Sequence, residues 1–433
     1  MTNIFYKIIL FLLSINLYAL DKNINLIDLD ENKRNNEFLQ LIWESKLVND
    51  DIEAQTYLTN LGLELANNSK KRNNFSFFLI NNNSVNAFAG PNGHIGIYTG
   101  LLLKSDTESE LAAVLAHEIA HVNQNHIDRF DKKIKDQLYI LIGGMLLSSV
   151  AKKANSENAI SISTIAGIKQ QQINFIREHE IEADRIGMNI LHKSRFDPSG
   201  MASFFQKLTN DLDAKEFLST HPLSVNRVAD SMILFPNKNI NYKKSSFQYL
   251  TTKIRIYYEI HKKIEKQKNK KLNLYSKAYL AFKNNKYEQS KQYIDDLLKI
   301  DTSDSSYILA GRIYSKLQNI KDSQQYFSKV KNNKSSVYYA AQAYLDNNKP
   351  FKAISLLKSY LKTNNTYKFN KLLSSIYLTI GKIDRAHFYN AKSLVLQGRL
   401  NNAIIVYKKA KLTTNSKDLF DIITFEINRL QNQ

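Results

Sequence analysis

Residues 117–121 read His-Glu-Ile-Ala-His, two imidazoles four positions apart with a carboxylate directly after the first. Four residues of helix turn through about 400°, so His117 and His121 stand nearly one above the other and both rings can reach one ion. Glu118 then lies close enough to hold a water beside that ion. This is the set a zinc-dependent hydrolase uses: the ion makes the water acidic and polarises a carbonyl, and the carboxylate moves the proton from the water to the leaving amine. The apolar neighbours Val114, Leu115, Ile119 and Val122 argue against a pair of surface histidines. His126 is the next histidine along, but it lies nine residues from His117, about half a turn out of phase on a continuing helix, and is expected to face away.

The third ligand has to come from elsewhere. The chain contains no cysteine, so thiolates are excluded and the donor must be His, Asp or Glu. The richest source is Asn174 to Leu191, where Glu178, His179, Glu180, Glu182 and Asp184 compete. Helical spacing puts Glu180 and Asp184 on one face and turns His179 and Glu182 elsewhere. Periodicity alone favours Glu180 only slightly, because an acidic run is most often a solvated face.

These groups need a scaffold, and the patterning supplies one. Residues 36–70 carry apolar side chains at three- and four-residue intervals and read as helices. Phe75 to Ile80 and Ala87 to Ala89 read as short strands, Gly90 to Gly93 as a turn, and His94 to Thr99 as a returning strand that alternates. From about Thr107 a helix takes over, with Glu108 and Glu110 in its first turn and no breaker to Val122. Another covers Ile173 to Lys193. Leu138 to Val150 is apolar but interrupted by Gly143-Gly144 and short for a membrane span. It reads as a buried or membrane-touching hairpin, and the stretch after it as a lid. Asn239 to Lys271 is polar and lysine-rich and is expected to join two domains.

The C-terminal part repeats itself. Small residues recur at Ser290, Ser323, Ala353 and Ala386, with Ile294, Phe327 and Leu357 four positions after the first three. That spacing is close to the 34-residue tetratricopeptide period, in which small residues let paired helices approach; such arrays bind partners on a concave face. Residues 241–433 hold 36 Lys and Arg against 13 Asp and Glu. A charge excess of that size raises nucleic-acid binding as a class. The first twenty residues argue against it: one lysine, an apolar run from Ile8 to about Leu17, and Ala19 at a cleavage position read as an export signal. The lysines are therefore read as solvated, with an anionic membrane surface or an acidic client as the functional alternative. No run of eighteen consecutive apolar residues occurs, which counts against an integral membrane protein.

Four stretches, Asn86 to Leu102, Leu111 to His126, Arg177 to Leu191 and Thr220 to Arg227, resemble the gluzincin metallopeptidases of the HtpX and CAAX-prenyl-protease type. The likeness is greatest to the periplasmic members that join such a peptidase to tetratricopeptide repeats, and it covers nearly the whole chain. It implies a mainly α fold: a zincin-like α+β metallopeptidase domain with a small edge sheet, then an α-helical tetratricopeptide array. The corresponding division is a signal peptide over 1–19, the peptidase over 20–240, a helical linker over 241–271 and the repeats over 272–433. By the same resemblance Glu180 takes the third-ligand role, completing a single Zn2+ site with His117 and His121 around the base Glu118. Asp184 would orient a ligand imidazole. His221 and Arg227 would approach the site, either to stabilise an oxyanion or, for His221, to cap the metal in a resting form. Read alone, His221 is only a turn residue beside Pro222. Ala87, Phe88 and Ala89 would form the edge on which an extended substrate aligns. The family usually carries Gly where Asn92 stands, so the turn there is expected to differ slightly. The implied setting is the periplasm of a Gram-negative bacterium, with unfolded or stalled outer-membrane proteins as clients, the barrel-assembly machinery as partner, peripheral membrane contact and no nucleic acid. A repeat-based chaperone or adaptor with a latent, gated protease site is the alternative.

Overall fold

The computed structural model describes residues 31–69, 74–126, 129, 170–209, 215–222, 246–258, 269–331 and 333–431. The export signal, the apolar 138–150 segment with most of the stretch after it, and Arg227 lie outside these residues. Among them no helix is long and apolar enough to cross a membrane.

Two helices open the described chain, α1 (Glu31–Glu44) and α2 (Ile52–Ala66). Asp51 starts α2 by accepting hydrogen bonds from the Glu53 and Ala54 amides. Three strands follow, β1 (Ser76–Ile80), β2 (Ala87–Ala89) and β3 (His94–Tyr98), each within a residue of the expected span. They form one sheet in the order β1-β3-β2, with β1 parallel and β2 antiparallel to β3. The turn between β2 and β3 places Asn92 at φ 52°, the left-handed region where glycine is the easiest occupant and asparagine the next. Every residue of β3 is buried. Ile95 and Ile97 face the main core, while Tyr98 belongs to a second cluster with Phe38, Ile42 and Phe88, so the central strand is covered on both sides.

The helix that follows α3 (Thr99–Lys104) is α4 (Glu108–Asn123), the axis of this half of the molecule. Thr107 caps it, and every residue from Glu108 to Ala120 is buried. A helix apolar almost all round is covered on every side, here by α2, β2, α5 (Gln170–Lys193) and α6 (Ser199–Leu208). The acids in its first turn are buried with partners. Glu108 accepts from Arg195 and Tyr57, and Glu110 accepts from Lys207 and Ser203. After the short α7 (Lys215–Thr220), α8 (Phe247–Tyr257) falls inside the stretch expected to join two domains. It packs Phe247, Leu250 and Ile254 into the core around α4, and Tyr249 and Ile256 into the core of the helical array.

That array runs from Lys270 to Gln431. Its helices are α9 (Lys270–Lys283), α10 (Tyr287–Leu298), α11 (Asp304–Lys316), α12 (Ile320–Ser328), α13 (Lys334–Asp346), α14 (Pro350–Leu361), α15 (Tyr367–Thr379), α16 (Ile383–Val395), α17 (Leu400–Thr413) and α18 (Lys417–Gln431). Ser290, Ser323, Ala353, Ala386 and Ala403 are all buried where helices meet. Ser290 and Ser323 also donate to the carbonyls of Ala278 and Gly311 on the preceding helix, 2.7 Å each. Five of the turns in the array repeat one device: a residue at positive φ (Asn285, Gln318, Asn348, Gly381, Gly398) closes the preceding helix with the paired bonds of a Schellman cap.

The array grips the corner between α1 and α2. Lys253 on α8 pairs with Asp51 and Glu53 at 2.6 Å each, Ser335 donates to the Ile52 carbonyl, and Lys368 bonds the Asp50 carbonyl. Trp43 packs edge-on against Tyr367 at 4.3 Å. Ile52 itself lies in the core of the array.

Candidate metal centre

Helices α4 and α5 cross closely because Gly187 faces α4; a Cβ there would come within 3.2 Å of the His117 amide nitrogen. That approach sets Glu180 and Asp184, one turn apart on α5, against the two histidines of α4. His117 Nε2 lies 2.9 Å from His121 Nε2 and 3.4 Å from Glu180 Oε2, and His121 Nε2 lies 3.2 Å from Glu180 Oε1. The residue after α7, His221, brings its Nδ1 to 3.3 Å from His117 Nε2 and 3.2 Å from Glu180 Oε1. One donor atom from each of these four residues falls within 4.8 Å of all the others. Zinc bound at 2.0–2.1 Å by four tetrahedral ligands would separate them by roughly 3.3 Å, close to the distances observed. The donor set, three imidazoles and one carboxylate in a buried cradle, fits zinc in chemistry as well.

Electrostatics agree. Although burial alone would raise its pKa, the imidazoles of His221, His121 and His117 hold the Glu180 carboxyl well below the ordinary range, so it is charged. Burial pushes His121 down to about 3, leaving a neutral ring with a free lone pair. Burial opposes protonation of His117 too, but Asp184 and Glu180 outweigh it and raise this histidine to about 10. Asp184 Oδ1 is 2.9 Å from His117 Nδ1, which keeps Nε2 turned toward the other donors. A cluster of this charge attracts a cation: a proton on His117 in its absence, displaced when a metal enters.

Glu118 is fully buried, and neither of its carboxylate oxygens has a hydrogen-bond partner among the described residues. His221 Nε2 lies 3.4 Å from its Oε1. Burial raises its pKa, the direction that suits a group that must take up a proton. β2 is the edge of the sheet and packs beside α4, so Ala87, Phe88 and Ala89 lie next to the helix carrying the cluster.

The structure corrects the placement of His126. It does not face away: its Nδ1 is 2.8 Å from His121 Nδ1, and its ring centroid is 4.9 Å from that of His121. The helical-wheel argument fails because α4 ends at Asn123. Asn125 adopts φ 53°, its amide bonds the Val122 carbonyl, and the His126 amide bonds that of His121. This Schellman cap folds the chain back over the last turn and swings His126 alongside His121. Asn125, a residue that tolerates the left-handed conformation, is the signal in the sequence that marks it. His179 and Glu182 do point elsewhere, as expected, and they point at His126. His179 stacks on it at 4.2 Å, and Glu182 Oε2 is 3.1 Å from its Nε2.

Residues 53–231 match the family model of peptidase family M48, and residues 304–337 match the tetratricopeptide repeat. The chain carries an M48 peptidase domain. It is 28% identical to the beta-barrel assembly-enhancing protease of Escherichia coli over 91% of this chain and 87% of that one. Against the protein of the same name from Yersinia pestis the identity is 29%, with the same coverage. A putative beta-barrel assembly-enhancing protease of Vibrio cholerae is 36% identical over 45% of this chain and 42% of its own. The M48 domain spans the sheet, α4, α5 and His221, so this chain is a metallopeptidase with a metal-dependent site, joined to a tetratricopeptide region.

Proposed function

We propose that this chain is a zinc endopeptidase of the Gram-negative periplasm that cleaves unfolded or stalled outer-membrane proteins and helps others assemble. His117, His121 and Glu180 would hold a single Zn2+ and Glu118 would act as the base. The observation that carries this reading is the convergence of those three donors beside a buried carboxylate with no hydrogen-bond partner among the described residues. A zinc ion there supplies Lewis acidity, making a water acidic near neutral pH and polarising a peptide carbonyl. Glu118 takes the proton from the attacking water on its carboxylate and delivers it to the leaving amine. Asp184 keeps the His117 ring oriented. An extended substrate adds to the edge strand through backbone hydrogen bonds to Ala87 to Ala89. Arg227 would complete the oxyanion-stabilising side.

His221 decides the state of the enzyme. Its Nδ1 sits among the ligand atoms and its Nε2 toward Glu118, in the space that the water and the substrate carbonyl require. We read this as a resting form in which His221 caps the metal and must withdraw before cleavage. That favours a gated protease, and it is also the observation behind the second reading, a repeat-based chaperone with a latent site. The assignments of periplasm, clients and assembly machinery rest on the names of the relatives and on the export-like first twenty residues. The repeat half would dock the assembly machinery, and its excess of basic residues would favour acidic partners or an anionic membrane surface.

The test is metal analysis and a casein-type cleavage assay on the mature protein beside Glu118→Gln. Zinc near one per chain in both forms, with cleavage only in the parent, is expected. Full zinc retention in Glu180→Ala would overturn the ligand set, and cleavage undiminished in Glu118→Gln would overturn the base.

A further inference from the structure

We propose that His126 is a positioning residue for the metal centre: it relays the Glu182 carboxylate to His121 through one continuous line of hydrogen bonds. This inference rests on the reading that His121 binds the metal. A metal-binding imidazole needs an acceptor on its outer nitrogen, which fixes the tautomer and ring plane and makes the inner nitrogen a better donor. His117 has one in Asp184. Among the described residues no carboxylate meets the outer nitrogen of His121, Nδ1. Its Nε2 is turned inward, 2.9 Å from His117 Nε2 and 3.2 Å from Glu180, so its proton lies on Nδ1. The atom facing that proton is His126 Nδ1, at 2.8 Å.

A consistent set of protons follows. His121 Nδ1–H donates to His126 Nδ1, which must therefore be bare, and the His126 proton sits on Nε2. That nitrogen is 3.1 Å from Glu182 Oε2, to which it donates. Arg129 donates to the same oxygen at 2.7 Å and holds the carboxylate in place. His126 is only 2% exposed, and the His179 ring stacks on it within 4° of parallel, which fixes its plane. The two ligand histidines are thus braced unequally, His117 by a carboxylate directly and His121 by a carboxylate acting through a second imidazole. The same turn that spoils the helical phase of His126 is what brings it into line.

Two substitutions separate this role from packing. His126→Asn keeps an acceptor oxygen where Nδ1 stands, and His126→Phe keeps the ring but removes the acceptor. Zinc affinity is measured on metal-free protein by chelator competition, and the visible spectrum of the cobalt-substituted protein reports ligand geometry. The expected result is 10- to 100-fold weaker zinc binding and an altered cobalt spectrum in His126→Phe, with His126→Asn, which keeps the acceptor but loses the link to Glu182, weakened only about threefold. Equal affinity and identical spectra in all three proteins would overturn the proposal, as would equal weakening in both variants, which is what packing alone predicts. If His126→Phe does not fold, Glu182→Ala takes its place. Loss of the carboxylate frees the His126 proton to move to Nδ1, and zinc binding about threefold weaker or more is expected; unchanged affinity would overturn the relay. A parent that binds no zinc would instead refute the metal assignment itself, a different failure from this one.

Discussion

Replacing Lys253 by Met tests how the two halves of the molecule are held together. Lys253 is 2% exposed and pairs with Asp51 and Glu53, which begin α2 in the peptidase half. It reaches them from α8, which is packed into both cores. Burial would raise the Asp51 pKa, but the charges of Lys253 and then Arg312 lower it from 3.8 to about 2. At about 1.4 kcal/mol per unit, that drop corresponds to roughly 2.5 kcal/mol of stability at neutral pH. Losing one partner of a wholly buried pair costs about 3–5 kcal/mol. Here the acids reach some water, Asp51 keeps two amide donors at 2.9 Å, and Arg312 remains nearby, so roughly 2–3 kcal/mol is expected. The assay is urea unfolding at pH 7 on the parent, Lys253→Met and the double variant Asp51→Asn with Lys253→Met. Asn still caps α2, and Glu53 remains to balance Arg312, so the double variant should be more stable than the single one by about 1 kcal/mol. The pH dependence has a definite sign. Because the folded pKa of Asp51 is depressed, its contribution is present above pH 3.8 and is lost as pH falls toward 2. A Lys253→Met protein within about 0.5 kcal/mol of the parent, or a double variant less stable than the single, would refute the reasoning.

Two further outcomes concern the metal centre. Asp184→Ala removes the acceptor on His117 Nδ1 and should weaken zinc binding 10- to 100-fold by chelator competition, with the fold unchanged by circular dichroism; unaltered affinity would show that Asp184 has no hold on the ligand. His221→Ala vacates the fourth corner and should raise cleavage of an unfolded substrate while lowering zinc affinity only modestly. A fall in kcat with unchanged affinity would instead place His221 on the side of oxyanion stabilisation.

Much of this protein is written locally. The His-Glu-Ile-Ala-His spacing sets two imidazoles on one face of any helix that contains it, and the strand spans, the start of α4 and the repeat period follow from patterns a few residues long. The resemblance to a peptidase family then singled out Glu180 among five acidic and imidazole candidates that periodicity could hardly separate. Three-dimensional packing decided the rest. Gly187 lets α5 approach α4 closely enough for Glu180 and Asp184 to meet His117, a contact across more than sixty residues that no helical wheel contains. β3 is buried on both faces because the main core covers one side and α1 packs over the other. His126 changes sides because helical phase ends where the helix ends, and a single left-handed residue, Asn125, redirects everything after it. A sequence states which residues share a helix; where that helix stops, and what another helix brings against it, depends on backbone conformation and packing that only the folded chain fixes.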